Sequence, residues 1–384
     1  MAIENKKYIP ALRFPEFQND GEWSMLELGK FAKIVMGQSP SSEAYNERGE
    51  GVPLLQGNAD IKDRHQVVRV YTTDITKTCD INDIIMTVRA PVGTISRASF
   101  KSCIGRGVCA IKTDSEYLYQ YLISIEQEWD KLASGSTFVS ITSNQIFDKI
   151  IFVPLTIQEQ KKIADCLSSL DKYIDATKRK LELLKEHKKG LMQRLFPAKD
   201  KTTPELRFPE FQNDGEWVEV SFGSIINVNS GKDYKHLDIG NIPVYGTGGY
   251  MLSVNDKLSD IDAVGIGRKG TIDKPQYLKA PFWTVDTLFF LTSSKNYDIR
   301  YLYYLCQTIP WKTYGEQTGV PSISKNSIDK LDVVITTNIT EQQKIAQSLL
   351  HLDNAMDAIE KKIHLLETHK YGLMQNLFPN LNNY

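Results

Sequence analysis

The chain repeats itself, and this repetition constrains its architecture more than any other feature. The segment LRFPEFQNDGEW at residues 12–23 returns unchanged at 206–217, and Ile157–Pro197 matches Ile339–Pro379 at 23 of 41 positions. The segments between the matches hardly resemble each other. A chain that keeps its scaffold and varies the rest is expected to hold two related halves with different binding surfaces.

Composition narrows the class of protein. A chain of 384 residues exceeds what one core spans, so we expect at least two domains. No apolar run approaches a membrane span and no leader pattern is present, which predicts a cytoplasmic protein without membrane contact. The five cysteines form no C-x-x-C pair and are expected to be free thiols. A net charge of −1 indicates that the chain's own electrostatic attraction to nucleic acid is modest, and a basic partner is expected to supply the rest.

Both copies of the second repeat carry apolar residues at alternating steps of four and three, which predicts a helix with a heptad seam. We predict about 33 helical residues in each copy, a rod of about 50 Å. Thr156-x-x-Glu159 and Asn338-x-x-Glu341 predict capping boxes at the helix starts. The predicted seam residues are Ile163, Leu167, Leu170, Ile174, Leu181 and Leu184 in the first copy, and Ile345, Leu349, Leu352, Met356, Ile363 and Leu366 in the second.

Lys188 and Lys370 interrupt this seam. The two helices can bury their stripes against each other as an antiparallel pair. Alternatively, each helix packs on its own variable segment or on another protein, and the pattern leaves these alternatives open.

The variable segments read as mixed α/β, with short apolar runs for strands and one late aromatic-rich helix each. The expected fold class is therefore α+β: two α/β-mixed domains joined by two long antiparallel coiled-coil helices in a pseudo-two-fold repeat. We predict a first domain at 1–155, a helix at 156–197, a linker and second domain at 198–337, and a second helix at 338–384.

The usual catalytic motifs are missing and the histidines have no metal-ligand spacing, so no catalytic or metal-binding residue is predicted. What remains is a set of polar, glycine-punctuated loops. Their side chains suit DNA readout, because Arg and Lys bind guanine or phosphate and Gln binds adenine; the alternative for each is a solvated surface residue. The DNA-binding candidates are Gln38, Ser39, Arg89, Arg97, Arg106 and Thr137 in the first domain, and Lys232, Lys235, Arg268, Lys269, Lys274 and Lys325 in the second.

A family resemblance covers essentially the whole chain. It is carried by the repeated segments VPLTIQEQKKIADCLSSLD (153–171) and TEQQKIAQSLLHLD (340–353), and by the GLM-Q-x-LFP endings at 190–197 and 372–379. The chain resembles the specificity subunit of type I restriction–modification systems. DIIMTVRAPVGTIS (83–96) and GIGRKGTI (265–272) look like parts of that family's target-recognition domains.

The resemblance implies a non-catalytic subunit whose two domains each read half of a bipartite, asymmetric site in double-stranded DNA. It implies docking of two adenine methylation subunits, which use S-adenosylmethionine, and of restriction/translocase subunits, which use ATP; this chain itself would hold no cofactor. The competing hypothesis is a non-catalytic protein-interaction scaffold with two binding domains on a coiled-coil spacer.

Overall fold

The computed structural model describes residues 8–132, 140–294, 297–315 and 319–379. The chain divides into two compact units, one formed by Met1–Thr177 with Lys362–Tyr384 and the other by Lys178–Lys361. Each unit therefore combines one variable segment with the start of one long helix and the end of the other. No helix of the described residues is long and apolar enough to cross a membrane.

The described residues of the first variable segment form thirteen strands and four short helices before its long helix. The strands are β1 (Ser24–Glu27), β2 (Lys33–Met36), β3 (Tyr45–Asn46), β4 (Val52–Leu55), β5 (Ile61–Lys62), β6 (His65–Gln66), β7 (Tyr71–Thr72), β8 (Thr78–Cys79), β9 (Ile84–Thr87), β10 (Ile95–Arg97), β11 (Ser102–Ile104), β12 (Val108–Lys112) and β13 (Ile150–Val153). The helices are α1 (Leu28–Phe31), α2 (Glu116–Ser124), α3 (Glu126–Leu132) and α4 (Ser143–Phe147), followed by the long α5 (Ile157–Leu195).

The second variable segment has fewer described strands. They are β14 (Val218–Ser221), β15 (Ile226–Ser230), β16 (Ile239–Gly246), β17 (Gly249–Val254), β18 (Ala263–Gly267), β19 (Gln276–Leu278), β20 (Trp283–Thr284), β21 (Leu288–Ser293) and β22 (Asp332–Ile335). The helices are α6 (Ile299–Thr308), α7 (Lys325–Asp329) and the long α8 (Ile339–Leu377). Short 3-10 turns include Pro15–Phe17 and Pro209–Phe211, which lie in the two copies of the first repeat.

The two units share a sheet plan. Each unit has a two-stranded antiparallel pair, β1–β13 or β14–β22, whose second strand directly precedes a long helix in the chain. The order β2-β12-β9-β10 in the first unit corresponds to β15-β21-β18-β19 in the second, and β7-β4-β11 corresponds to β17-β16-β20. The first unit adds β5 and β6 to one sheet and β3 and β8 to the other. The predicted mixed α/β character in two domains is confirmed.

The strands follow from runs of apolar residues that are covered on both faces. Every residue of β9 and β18 is buried, as expected for central strands without a solvated side. Ser115 caps the start of α2 with a hydroxyl that accepts from the Leu118 amide, and Asp298 caps the start of α6 with a carboxylate that accepts from the Tyr301 amide. These caps fix where each aromatic-rich helix meets its sheet.

The long helices contribute to the core of both units. Ile163 and Leu167 of α5 pack with Leu377 of α8 in the first unit, and Leu195 of α5 packs with Leu349 of α8 in the second. Each helix spans 39 residues, longer than predicted, and a length of about 58 Å follows from 1.5 Å per residue. Every predicted seam residue is buried or half-buried.

The lysines that interrupt the seam are paired rather than stranded. In the first unit Lys370 Nζ lies 2.6 Å from an Asp171 carboxylate oxygen, and in the second Lys188 Nζ lies 2.6 Å from Asp353. Asp171 and Asp353 are equivalent residues of the repeat, as are Lys188 and Lys370. Tyr304 donates a further hydrogen bond to Asp353, so this half-buried carboxylate has two partners.

The repeated LRFPEFQNDGEW segment clamps the start of a long helix in each unit. Arg13 forms a two-bond ion pair with Glu159, both bonds at 2.7 Å, and Trp23 Nε1 donates to the same carboxylate at 3.3 Å. Arg207 holds Glu341 in the same way, at 2.7 and 2.9 Å. These hydrogen bonds raise the pKa of both arginines, against an opposing effect of burial.

The predicted capping boxes are therefore half correct. The Thr156 hydroxyl accepts from the Glu159 amide and the Asn338 side chain accepts from the Glu341 amide, as expected for caps. The two carboxylates, however, bind the arginines of the first repeat. Those arginines lie far away in the chain, and the local motif gave no sign of them.

Candidate nucleic-acid interface

In the first unit, backbone hydrogen bonds tie five loops into one surface at the ends of the sheets. We call this network the loop frame. It joins segments that are distant in the chain but meet where β2, β4, β9 and β12 begin or end. Its bonds are Gly37 N to Val108 O (3.0 Å), Gln38 N to Ile104 O (2.9 Å), Val88 N to Gly107 O (2.9 Å), Gly105 N to Leu55 O (2.7 Å) and Ile141 N to Val88 O (3.0 Å).

The second unit builds the same loop frame bond for bond. The bonds again connect the loop after the first sheet strand (β15), the loops next to β16, β18 and β21, and the segment before the short helix α7. They are Gly231 N to Leu288 O (3.2 Å), Lys232 N to Thr284 O (2.9 Å), Arg268 N to Thr287 O (2.7 Å), Val285 N to Tyr245 O (3.0 Å) and Ile323 N to Arg268 O (3.0 Å).

Each frame contains a glycine that cannot be replaced by a larger residue without a steric clash. A Cβ on Gly37 would stand 2.1 Å from the Gly105 carbonyl oxygen, and one on Gly231 would stand 2.0 Å from that of Val285. No larger residue fits there, because real Cβ atoms do not approach backbone within 3.0 Å. The backbone of the frame is thus fixed in both units.

The side chains on this fixed backbone differ between the units. The frame bonds place Gln38 and Lys232 at equivalent positions. Isolated bridges to Ser140 and Ser322 make Arg89 equivalent to Lys269. The frame bonds also make Arg106 equivalent to Asp286, and Val88 equivalent to Arg268. Charge therefore changes at three of these four positions, and Arg89 and Lys269 keep the charge but differ in hydrogen-bonding geometry, while the backbone does not change.

Most of the predicted DNA-binding residues lie on or beside the frames. Ser39 is half-buried, and its hydroxyl accepts from the Arg106 amide at 3.2 Å, which joins two frame loops. The cationic candidates on this surface are exposed and form no ion pair with another described residue. They are Arg89 and Arg106 in the first unit, and Lys232, Lys235, Arg268, Lys269, Lys274 and Lys325 in the second.

Arg97 lies apart from the frame. Its guanidinium pairs with Glu116, donates to the Asn82 carbonyl at 2.9 Å, and stacks 4.3 Å from the centre of the Tyr119 ring. These contacts hold β10 to α2 and leave the side chain half-buried. Thr137, the remaining candidate, lies outside the described residues.

A cavity beside the first frame contains polar residues that the sequence did not single out. It measures about 510 Å³, and its lining includes Gln56, Asn58, Arg69 and the Ala90–Pro91 loop that follows Arg89. Buried Asp60 accepts from the Gln56 amide at 2.7 Å and lies 3.7 Å from the Arg69 guanidinium. In the sequence, this part of the cavity is marked only by a run of polar residues between two short strands. Many surface loops have such a run, so it does not indicate a binding site.

The comparisons with known proteins agree on one family. The family model of the type I restriction modification DNA specificity domain matches residues 20–186 and 214–368. A Methanocaldococcus jannaschii protein assigned as the MjaX type I specificity subunit is 39% identical over 186 residues, a match that spans 46% of this chain and 43% of that protein. The MjaVIII specificity subunit of the same organism is 22% identical over 97% of this chain and 95% of its own.

Solved structures show the same fold. The S subunit of a type I system from M. genitalium superposes with a TM-score of 0.68 at 20% identity, covering 97% of this chain and 99% of that one. A chain from a type I system described in terms of complex assembly and conformational transition gives a TM-score of 0.54 at 15% identity, covering 93% and 98%. With a family model that matches both units and a frame that recurs in each, the chain belongs to the type I restriction–modification DNA specificity subunits.

Proposed function

We propose that this chain reads a bipartite, asymmetric site in double-stranded DNA, with one loop frame directed at each half of the site. The observation that carries the proposal is the recurrence of one backbone frame with different side chains. A shared backbone presents its loops in the same way to a groove, and base edges are read by the side chains on it. Exchange of Arg89 for Lys269 and of Gln38 for Lys232 is therefore expected to change the bases read.

We assign the two readers and their connecting elements to definite ranges. The first target-recognition domain takes residues 1–155 and the second takes 198–337, including its linker. The ranges 156–197 and 338–384 hold the helices. Within these domains, the contact surface consists of the exposed candidates on the frames. Arg97 is left out of this surface because Glu116 and Tyr119 already engage its guanidinium.

We infer that the two long helices pair along their length as an antiparallel coiled coil with pseudo-two-fold symmetry. Support comes from the equivalent ion pairs of Asp171 with Lys370 and of Lys188 with Asp353. A polar pair at a seam position fixes register and orientation, because a shifted alignment would leave its charges buried and unpaired. Half-sites on one face of DNA lie about 34 Å apart, a separation that helices of about 58 Å can span.

We further propose that the helices dock two adenine methylation subunits, and that restriction/translocase subunits join the assembly. In this arrangement S-adenosylmethionine and ATP are bound by the partners, and this chain contributes sequence selection rather than catalysis. The near-neutral charge of the chain supports a division in which partners supply most of the attraction to phosphate.

Methylation mapping tests the proposal. The full chain is co-expressed with its cognate methylation subunit, and methylated adenines are located across the genome. A two-part motif is the expected result. Methylation without a two-part motif, or assembly whose DNA binding does not weaken as salt rises, would instead favour the protein-interaction scaffold.

A substitution on one frame then tests the assignment of residues. Arg268→Ala is expected to weaken recognition at one half-site by roughly 5- to 150-fold and to leave the other unchanged. Lys279→Ala is the matched control, because Lys279 is also an exposed cation but follows β19 at the opposite end of β18 from the frame. Equal behaviour of the two variants would remove Arg268 from the interface.

A further inference from the structure

Each loop frame is continued by the segment that joins its two neighbouring antiparallel strands, and this segment differs in length between the units. In the first unit it runs from residue 56 to 69, between Leu55 and Val70; in the second it runs only from 246 to 251, between Tyr245 and Leu252. The strand pairing establishes the equivalence, because Leu54 N bonds to Val70 O and Val244 pairs with Leu252. We call the shorter segment the turn; it holds the two connecting residues 247–248 together with Gly246 of β16 and residues 249–251 of β17.

This turn stands directly beside the second frame. Gln276 Nε2 donates to the carbonyl oxygens of Gly246 at 2.9 Å and Thr247 at 3.2 Å, which ties the turn to β19. On the frame side, a Cβ on Gly270 would lie 4.0 Å from the Thr247 hydroxyl. Gly270 directly follows Lys269 in the chain, so the turn and this frame cation belong to one continuous surface.

Two large side chains near the start of β17 are exposed on that polar surface. Tyr250 is 63% exposed and Met251 is 50% exposed. Both are positioned by neighbours: the Tyr250 ring meets the Tyr245 ring edge-on at 6.5 Å, and its hydroxyl lies 3.1 Å from that of Ser253. The Met251 sulfur covers Gly246, where a Cβ would stand only 2.7 Å away from it.

We propose that Tyr250 and Met251 contact the C5-methyl group of a thymine in the major groove of the second half-site. This inference rests on the proposed function. Thymine is the base that presents a methyl group in the major groove, and an apolar side chain recognises it by contact. Exposed cations flank the turn, including Lys232 and Lys269, so the apolar pair lies inside a surface whose charge suits a nucleic acid.

In the first unit, the corresponding segment presents polar side chains instead of apolar ones. Its longer segment lines the cavity with Gln56, Asn58 and Arg69, which offer amide and guanidinium groups. Such groups hydrogen-bond to base edges or phosphate and gain little from a methyl group. Thymine-methyl recognition through this element is therefore confined to the second half-site.

Replacement of thymine by deoxyuridine tests the proposal, because it removes only the methyl group. The target is first obtained from the methylation map, so a missing two-part motif reports failure of the proposed function before this experiment begins. The complex with its methylation subunits is then offered duplexes carrying one deoxyuridine at a time, and binding and methylation are measured. At one position of the second half-site we expect the wild-type complex to lose about fourfold in affinity, the effect of one buried methyl group.

In the Met251→Ala complex, the ratio between thymine and deoxyuridine at that position should fall close to one. Tyr250→Ala should reduce the ratio as well, whereas Tyr250→Phe should preserve it because the ring remains. Lys279→Ala should leave the fourfold ratio intact. Because both turn residues are exposed, thermal unfolding of each variant should match that of the wild type.

Three results would overturn the proposal while leaving the proposed function standing. The first is a second half-site without thymine in either strand. The second is an unchanged ratio in both Met251→Ala and Tyr250→Ala. The third is a loss of complex assembly in these variants without DNA, which would assign the turn to a protein contact instead.

Discussion

The clamp between Arg207 and Glu341 allows a quantitative prediction for Arg207→Ala. The two side chains are 8% and 1% exposed, and they form two charge-assisted hydrogen bonds. Arg207 also donates to the carbonyl oxygens of Asp214 and Gly215, so it ties the repeated segment to the start of α8. Removal of the guanidinium leaves a buried carboxylate whose remaining side-chain donor among the described residues is Thr336, at 2.6 Å.

We expect Arg207→Ala to destabilise the chain by about 3–5 kcal/mol, the usual cost of leaving one partner of a buried ion pair uncompensated. Adding Glu341→Gln to this variant removes the stranded charge. The double variant should therefore be more stable than the single one, with a remaining cost of about 1–3 kcal/mol for the unpaired polar group. The sign of this difference is independent of the absolute values.

Urea unfolding of the full chain, followed by tryptophan fluorescence, measures these free energies from the midpoint and slope. Lys344→Ala is the matched control, because Lys344 pairs with Glu210 of the same repeated segment at 2.6 Å but in an exposed position. That pair should contribute little to stability, because both side chains are exposed to solvent. If Arg207→Ala costs no more than this control, or the double variant is less stable than the single one, the carboxylate is hydrated and the clamp argument is refuted.

Three further predictions concern the helices, the frame and the thiols. Lys188→Asp should weaken the chain by placing two carboxylates together, and adding Asp353→Lys should restore much of the loss in the same urea assay, whereas an additive loss would contradict pairing. Gly190→Ala should stabilise the chain by about 0.5–1 kcal/mol, because this glycine lies inside α5 with open space around it. Gly37→Ala should destabilise the chain, because its Cβ would clash with the backbone. Thermal unfolding distinguishes the two signs. Burial raises the pKa of the Cys166 thiol, yet as the half-exposed cysteine it should be alkylated at pH 8 before the four buried ones, and mass spectrometry would show any other order.

Secondary structure was predictable where a local pattern determines it. The heptad period located both long helices, and short apolar runs located β9, β12, β13 and their counterparts in the second unit. The YGTGGY segment at 245–250 forms a tight turn between β16 and β17, as its glycines favour. The helices exceed their predicted length because Gly190 and Gly372 lie inside them. A single glycine costs about 1 kcal/mol, too little to end a helix that packs on both sides of it.

The candidate site was predictable as a list of residues but not as a surface. The frame is made of backbone hydrogen bonds between loops that lie tens of residues apart. Every residue carries the same backbone groups, so the sequence does not indicate which of them pair. The equivalence of Arg89 with Lys269, rather than with Arg268, follows from the frame bonds that align Val88 with Arg268 and from the bridges to Ser140 and Ser322. For the same reason Arg97 looked like any other loop arginine, since its partner Glu116 lies on a separate helix.

The sharing of α8 between the units has a consequence for synthesis on the ribosome. Phe378 lies against the rings of Tyr117 and Tyr121, and Met374 and Leu377 complete the same core. Residues translated first therefore cannot finish their core until the last helix has emerged. A nascent or truncated chain would expose this apolar surface to chaperones and proteases, so a cell would not accumulate a mature first half without the second.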